Sequence, residues 1–305
     1  MYKTSLFILI ILSVFLNNSC YTPKAAKTVG IAGVNNNVCK KLNGDVVIYA
    51  IFVDSKYTNP WTKYDIETTL DSIQTAINWI TEKSTENSVS LNIRLEYHST
   101  PQGTIPIKND FSKKTLSNTL YKKPLWSGIK EVYKWADKIA MEAGKSLPKD
   151  TSRVTNIKND LKTRERLIAR LRDMYQTDKV ALMYFINNYY TDEISVAFDK
   201  SSDTNIEFAI VSFKYPSAIA HEFLHLFGAA DLYLTPFDVK KKEQKKKEKL
   251  IKMFPDEIMT MAAAYKDINK LNIGGLTKYL IGWDTKLSEE YQKLLLKKGY
   301  FAVKY

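Results

Sequence analysis

The feature that most constrains this fold is the run Val46 to Val53, eight apolar residues without a polar break. A strand with one wet face alternates apolar and polar positions, so an unbroken run of this length reads as a strand covered on both faces. The surrounding segments supply candidates for that cover. Asp65 can cap a helix in which Ile66, Leu70, Ile73, Ile77 and Ile80 recur at three and four, one stripe for packing on a sheet. Val89, Leu91, Ile93, Leu95 and Tyr97 then alternate with polar neighbours, the pattern of a half-buried strand. Strand patterns return at Val180 to Ile186, at the alternating Ile194, Val196 and Phe198, and at Ile206 to Phe213. Their short connections predict neighbouring strands of open direction. A helix opened by Pro216 follows, and Leu276 to Trp283 and Leu287 to Leu296 supply helical segments near the end. The stretch from about Thr104 to Thr177 is basic and helical, with candidate helices at Ile129 to Met141 and Ile157 to Arg172, and reads as an insertion. No repeat of solenoid or propeller length is visible. The fold class is therefore α+β: a twisted mixed sheet packed by helices.

The first residues point to export. Lys3 precedes a greasy run from Leu6 to Leu16 that is too short to cross a bilayer as a mature helix, so residues 1–19 read as a signal peptide. Cys20 directly follows Ser19, an arrangement that resembles the processing site of bacterial lipoproteins, although Asn17 stands where such sites usually carry leucine. On that reading Cys20 is lipidated, residues 20–44 form a polar tether, and residues 45–305 form one domain held in the cell envelope through a membrane-inserted lipid; simple secretion is the alternative. Cys39 is then a leftover thiol, or, without lipid, a disulfide partner for Cys20. Two cysteines cannot build a thiolate zinc cluster.

Composition excludes little else. With 45% hydrophobic and 26% charged residues the chain belongs with globular proteins. Much of the formal charge of +12 is local: Lys240 to Lys252 holds eight lysines against Glu243 and Glu248. That run contains no aromatic residue, which favours a solvated helix face or loop over a nucleic-acid surface, and no nucleic-acid partner is expected.

The chemistry concentrates in Ala220-His221-Glu222-Phe223-Leu224-His225-Leu226-Phe227-Gly228-Ala229-Ala230-Asp231. Residues four apart on a helix share a side, so His221 and His225 can grip one Zn²⁺, while Glu222 reaches water at the metal without binding it. Ile219, Phe223, Leu226 and Phe227 are the apolar bulk for the sheet side. The chain has three histidines and two of them fall here; His98 has no such spacing and takes a structural or surface role. A catalytic zinc usually has three protein ligands. Gly228 can adopt the positive φ that turns the chain back and brings Asp231 to the metal. Glu243, Glu248 and Glu257 are rival third ligands.

These residues resemble the metzincin clan of zinc peptidases, in the H-E-x-x-H-x-x-G-x-x-D version found in small secreted snapalysin-type enzymes. The match lies at His221, Glu222, His225, Gly228 and Asp231. The resemblance implies a zincin-like catalytic domain, a zinc endopeptidase activity on protein or peptide substrates, and Asp231 as third ligand. It also implies a methionine-containing turn beneath the metal. Pro255-Asp256-Glu257-Ile258-Met259-Thr260 fits, with Met259 the candidate and Met261 the fallback. Tyr265 is a candidate for oxyanion support, as a tyrosine past this turn is in some relatives. The coarse order of strand, helix, several strands, metal-binding helix and C-terminal helix follows the clan as well. The rival from another class is an envelope-anchored binding or adhesion lipoprotein with a structural or vestigial zinc site. An unligated Glu222 is what such a site would not need.

Overall fold

A computed structural model describes residues 39, 41–99, 103–104, 106–110, 125–148, 163–187, 195–198, 206–212, 214–233, 241–261, 267–289 and 291. The expected signal peptide, Cys20, most of the tether, Ile194, Phe213, Tyr265 and most of Leu287 to Leu296 lie outside the described residues.

The unbroken apolar run forms β1 (Gly44–Asp54), with Val46 to Val53 buried throughout. It is flanked by β2 (Leu91–Tyr97) and β4 (Val180–Ile186), both parallel to it, and its end also pairs with the two-residue β3 (Ile107–Lys108). Next come β6 (Phe208–Val211), parallel to β4, and β5 (Val196–Phe198), antiparallel to β6 at the edge. The path through the sheet is β2-β1-β4-β6-β5. The last three runs are thus neighbours through β6, and β4 and β5 do not touch as ladder partners. β4 is buried at every position, as a strand between two parallel partners and two covering layers must be.

One layer comes from α1 (Lys63–Glu86) and α4 (Pro216–Leu226), which pack against each other and against the sheet. In α1 the stripe Ile66, Ile73, Ile77 and Ile80 is buried, joined by Thr69, Ala76 and Trp79. Its cap differs from the sequence expectation. Thr62 is the N-cap, with its hydroxyl accepting from the Asp65 N–H, while the Asp65 carboxylate reaches back to the Thr62 N–H. Asp65 therefore serves as the third residue of a capping box, and the helix begins before it.

The other layer comes from α2 (Leu125–Lys145) and α3 (Arg164–Tyr175), the helical stretch before β4. Val132, Trp135, Ala136, Ile139, Ala140 and Ala143 recur at three and four along α2 and are all buried. Trp135 packs edge-on against Tyr184, whose hydroxyl donates to the Ala136 carbonyl at 3.1 Å, and Tyr133 meets Phe208. Arg164 locks the layer: it bonds Asp137 at 2.8 Å and lies over the rings of Tyr133 and Phe208. These helices share one core with the sheet, and each large side chain enclosed there contributes about 1.5–3 kcal/mol.

After α4 the chain runs through α5 (Lys241–Met253), the single-turn α6 (Ile258–Met261) and α7 (Gly275–Leu280). No helix of the described residues is long and apolar enough to cross a membrane. The fold is mixed α/β, a largely parallel sheet between helical layers.

Candidate metal centre

Strand β6 ends at Val211 and α4 begins four residues after Ser212, with Pro216 in its first turn, where a missing N–H costs nothing. Ile219, Phe223, Leu226 and Phe227 are at most 1% exposed, which fixes the rotation of the helix about its axis. His221 and His225 therefore lie one turn apart on the same side, their rings edge-to-face with centroids 4.5 Å apart.

Each imidazole is oriented through its Nδ1. That of His225 bonds the Ala229 carbonyl at 2.8 Å, within the turn that closes its own helix. That of His221 bonds the Ile258 carbonyl at 3.1 Å, a partner 37 residues away at the start of α6. A ring nitrogen facing a carbonyl must carry the proton, so both Nε2 atoms present lone pairs when the rings are neutral. These atoms stand 3.0 Å apart, and Asp231 Oδ1 lies 3.1 Å from one and 3.2 Å from the other.

Three acceptors this close repel each other unless a cation or a proton lies among them. Zinc suits the donor set: three ligands at about 2 Å in tetrahedral array stand roughly 3.3 Å apart, close to the observed triangle. The electrostatics of the cluster agree. Burial opposes a charged His225 ring, but the charge and hydrogen bond of Asp231 outweigh it and push His225 up to about 10. Burial likewise opposes ionisation of Asp231, and the two imidazoles overcome it, holding that carboxyl well below its usual range. Asp231 thus favours positive charge on the His225 ring beside it. Among the described residues, His221, His225 and Asp231 are the set of metal-competent side chains whose ligand atoms converge.

Asp231 arrives there through Gly228, whose φ of +97° is open to glycine and strained for other residues. The Gly228 N–H caps the His225 carbonyl, and the chain folds back under the helix end. The Leu232 N–H then bonds the Met259 carbonyl at 3.0 Å, tying this return to α6.

Glu222 is 5% exposed, and among the described residues its Oε2 meets no hydrogen-bond partner. Burial raises its pKa, His221 and His225 pull it down, and Asp231 adds to the rise. A carboxyl beside the cluster with one oxygen uncommitted is a group that can accept and release a proton.

The other residues singled out by sequence fall as follows. Glu257 is buried, but its oxygens accept from the Gly274 N–H and from Thr277 Oγ1, so it is engaged away from the histidines. Glu248 is exposed on α5, and the side chains of Glu243 and Met261 lie outside the described residues. Met259 is fully buried in α6, the segment whose carbonyls meet His221 and Leu232. His98 is buried after β2 and pairs with Ser146 Oγ at 3.1 Å; burial lowers its pKa. Cys39 is a free, buried thiol whose Sγ lies 3.7 Å from the Val180 carbonyl, and burial pushes it well up into the unreactive range. Two features escaped sequence reasoning. The Ile258 carbonyl has no side-chain signature at all. Tyr233, 36% exposed with its ring 6.0 Å from that of His221, is marked in the sequence only by its nearness to Asp231.

No family model matches the chain, and it matches neither a curated protein nor a solved structure.

Proposed function

We propose that the chain is a zinc-dependent endopeptidase of metzincin type, with His221, His225 and Asp231 as zinc ligands and Glu222 as general base. The observation that carries this reading is the uncommitted, buried Oε2 of Glu222 beside three converging acceptor atoms. A purely structural metal site has no use for such a carboxyl. The reading is further supported by the order strand, helix, strands, histidine-bearing helix, methionine segment and later helix, into which α2 and α3 are inserted before β4.

Held by His221, His225 and Asp231, zinc would supply Lewis-acid chemistry, polarising a peptide carbonyl and lowering the pKa of water towards about 7. The protein's own groups do the rest. The carbonyls of Ile258 and Ala229 hold the two rings so that both Nε2 atoms point inward. Asp231 adds the negative charge that keeps a cation in place. Glu222 Oε2 takes a proton from the attacking water and returns it to the leaving amine. The proposal places the enzyme in the cell envelope, anchored through Cys20, with peptide segments of other proteins as substrate.

The test is zinc stoichiometry of the full chain together with digestion of a mixed peptide library. One zinc per chain, and cleavage that a chelator stops and added zinc restores, is the expected result. Full zinc occupancy with an untouched library would overturn the peptidase reading in favour of a binding module, and no zinc uptake would overturn the metal reading.

A further inference from the structure

The two imidazoles of the cluster are held in different ways. His225 finds its carbonyl four residues along, in the turn that ends α4, and needs nothing remote. His221 depends on Ile258, and the placement of that carbonyl rests on distant parts of the chain. The Ile258 N–H bonds the Asn272 carbonyl at 2.9 Å, and the Asn272 N–H bonds the Asp256 carbonyl at 2.7 Å. The Glu257 side chain then carries the same segment across to the start of α7, accepting from the backbone N–H of Gly274 and from Thr277 Oγ1 at 2.8 Å.

This is an expensive way to hold a backbone. Glu257 is 2% exposed, and an apolar residue would fill the same space without the penalty of burying a carboxyl. The neighbouring sequence makes room for it: a Cβ on Gly274 would strike the Glu257 carboxylate. The two oxygens give direction that apolar packing lacks, because each hydrogen bond fixes a distance and an angle. Glu257 is adjacent in the chain to the carbonyl that orients His221, so a shift of its side chain moves that carbonyl.

The geometry points to Glu257 as the positioning residue of the metal site, acting through the Ile258 carbonyl on the His221 ring and not as a ligand. This rests on the zinc reading given above. It assigns a role to Gly274 and Thr277 as well: they are the anchor to which the His221 support is fastened. Loss of a group bonded directly to a ligand typically costs about 10–100-fold in metal affinity, and Glu257, one step further out, is expected to cost about 10-fold.

The experiment is zinc affinity of the full chain by competition with a chromophoric chelator, paired with the visible absorption bands of the cobalt-substituted protein. These bands report ligand geometry and do not respond to a general loss of stability. Glu257→Ala is expected to weaken zinc about 10-fold and to shift the cobalt bands. Glu257→Gln is expected to restore most of the affinity and the wild-type bands, since its carbonyl can accept from Gly274 and its amide can donate to Thr277. Thr277→Val, which removes one arm, is expected to move both readouts in the same direction by less, and it decides the matter if Glu257→Ala does not fold. Wild-type affinity and bands in folded Glu257→Ala, or in Thr277→Val where the alanine variant fails, would overturn the role of Glu257 and leave the zinc site standing. A wild-type chain that takes up neither metal would overturn the zinc reading itself, and this inference with it.

Discussion

Glu222 on α4 and Glu257 ahead of α6 are both buried carboxyls raised above their ordinary pKa by desolvation, yet their surroundings are opposite. Glu257 has both oxygens engaged by donors at the start of α7, whereas Glu222 keeps Oε2 without a partner among the described residues. Engagement makes a strut, because every bond a carboxyl makes fixes it in place. An uncommitted oxygen beside a cluster of charge is free to take up and release a proton, the role proposed for Glu222. Burial alone therefore does not mark a catalytic acid or base; what sets Glu222 apart is an uncommitted oxygen next in the chain to a converging set of metal-competent side chains.

That distinction predicts different consequences for the same change at the two sites. Glu222→Gln should lower kcat by about 10²–10⁴-fold with zinc content unchanged, as measured by peptide turnover beside metal analysis. Retained turnover would erase the contrast, since Glu222 would then be no more a proton carrier than Glu257. Asp231→Ala should act on the metal first. Removing a ligand costs more than removing an outer partner, so its zinc affinity should fall by more than about 100-fold in chelator competition. Undiminished zinc there would move the third-ligand role elsewhere. Gly228→Ala should strain the return that delivers Asp231, because φ is +97° and the new Cβ would lie 3.2 Å from the Leu280 carbonyl. A loss of about 1–3 kcal/mol in urea unfolding is expected, with weakened zinc. An alanine tolerated without loss of either would show that the turn does not set the ligand.

The two regions also differ in how far the sequence discloses them. The spacing of His221, Glu222, His225 and Gly228 is local, and a helix with Ile219, Phe223 and Leu226 buried leaves one orientation for the imidazoles. Val46 to Val53 and Val180 to Ile186 were legible for the same reason: burial on both faces leaves an unbroken apolar run. The stripe of α2 was readable as a helix, but its position as a cover for Tyr184 and Phe208 was not, since an apolar stripe does not name its partner. Asp65 was placed one function off, because a carboxylate that caps a first turn and one that completes a capping box look alike in sequence. The support of His221 was beyond reach. It runs through a backbone carbonyl, which every residue has, and through a pairing of Glu257 with Gly274 and Thr277 that only tertiary structure creates. Sequence reading instead considered Glu257 as a ligand, since a glutamate after an H-E-x-x-H helix carries the same letter in either role.

The smallest effect expected is also the one that isolates Glu257 as a titrating strut. Burial raises its pKa from 4.5 to about 7, against the lowering effects of Thr277, Gly274 and Met259. The folded state therefore holds this proton more tightly than the unfolded chain does. Its contribution to stability is complete below pH 4.5 and is lost as pH rises through about 7. Glu257→Gln cannot ionise and escapes that loss. In metal-free protein the stability of the glutamine variant relative to wild type should grow by about 1–2 kcal/mol between pH 6 and pH 8, read from urea midpoints. His225, Asp231 and Glu222 titrate in both proteins and cancel in the difference. Parallel pH curves for the two would mean that the Glu257 carboxyl is as well solvated by Gly274 and Thr277 as by water. The asymmetry with Glu222 would then lie in geometry alone.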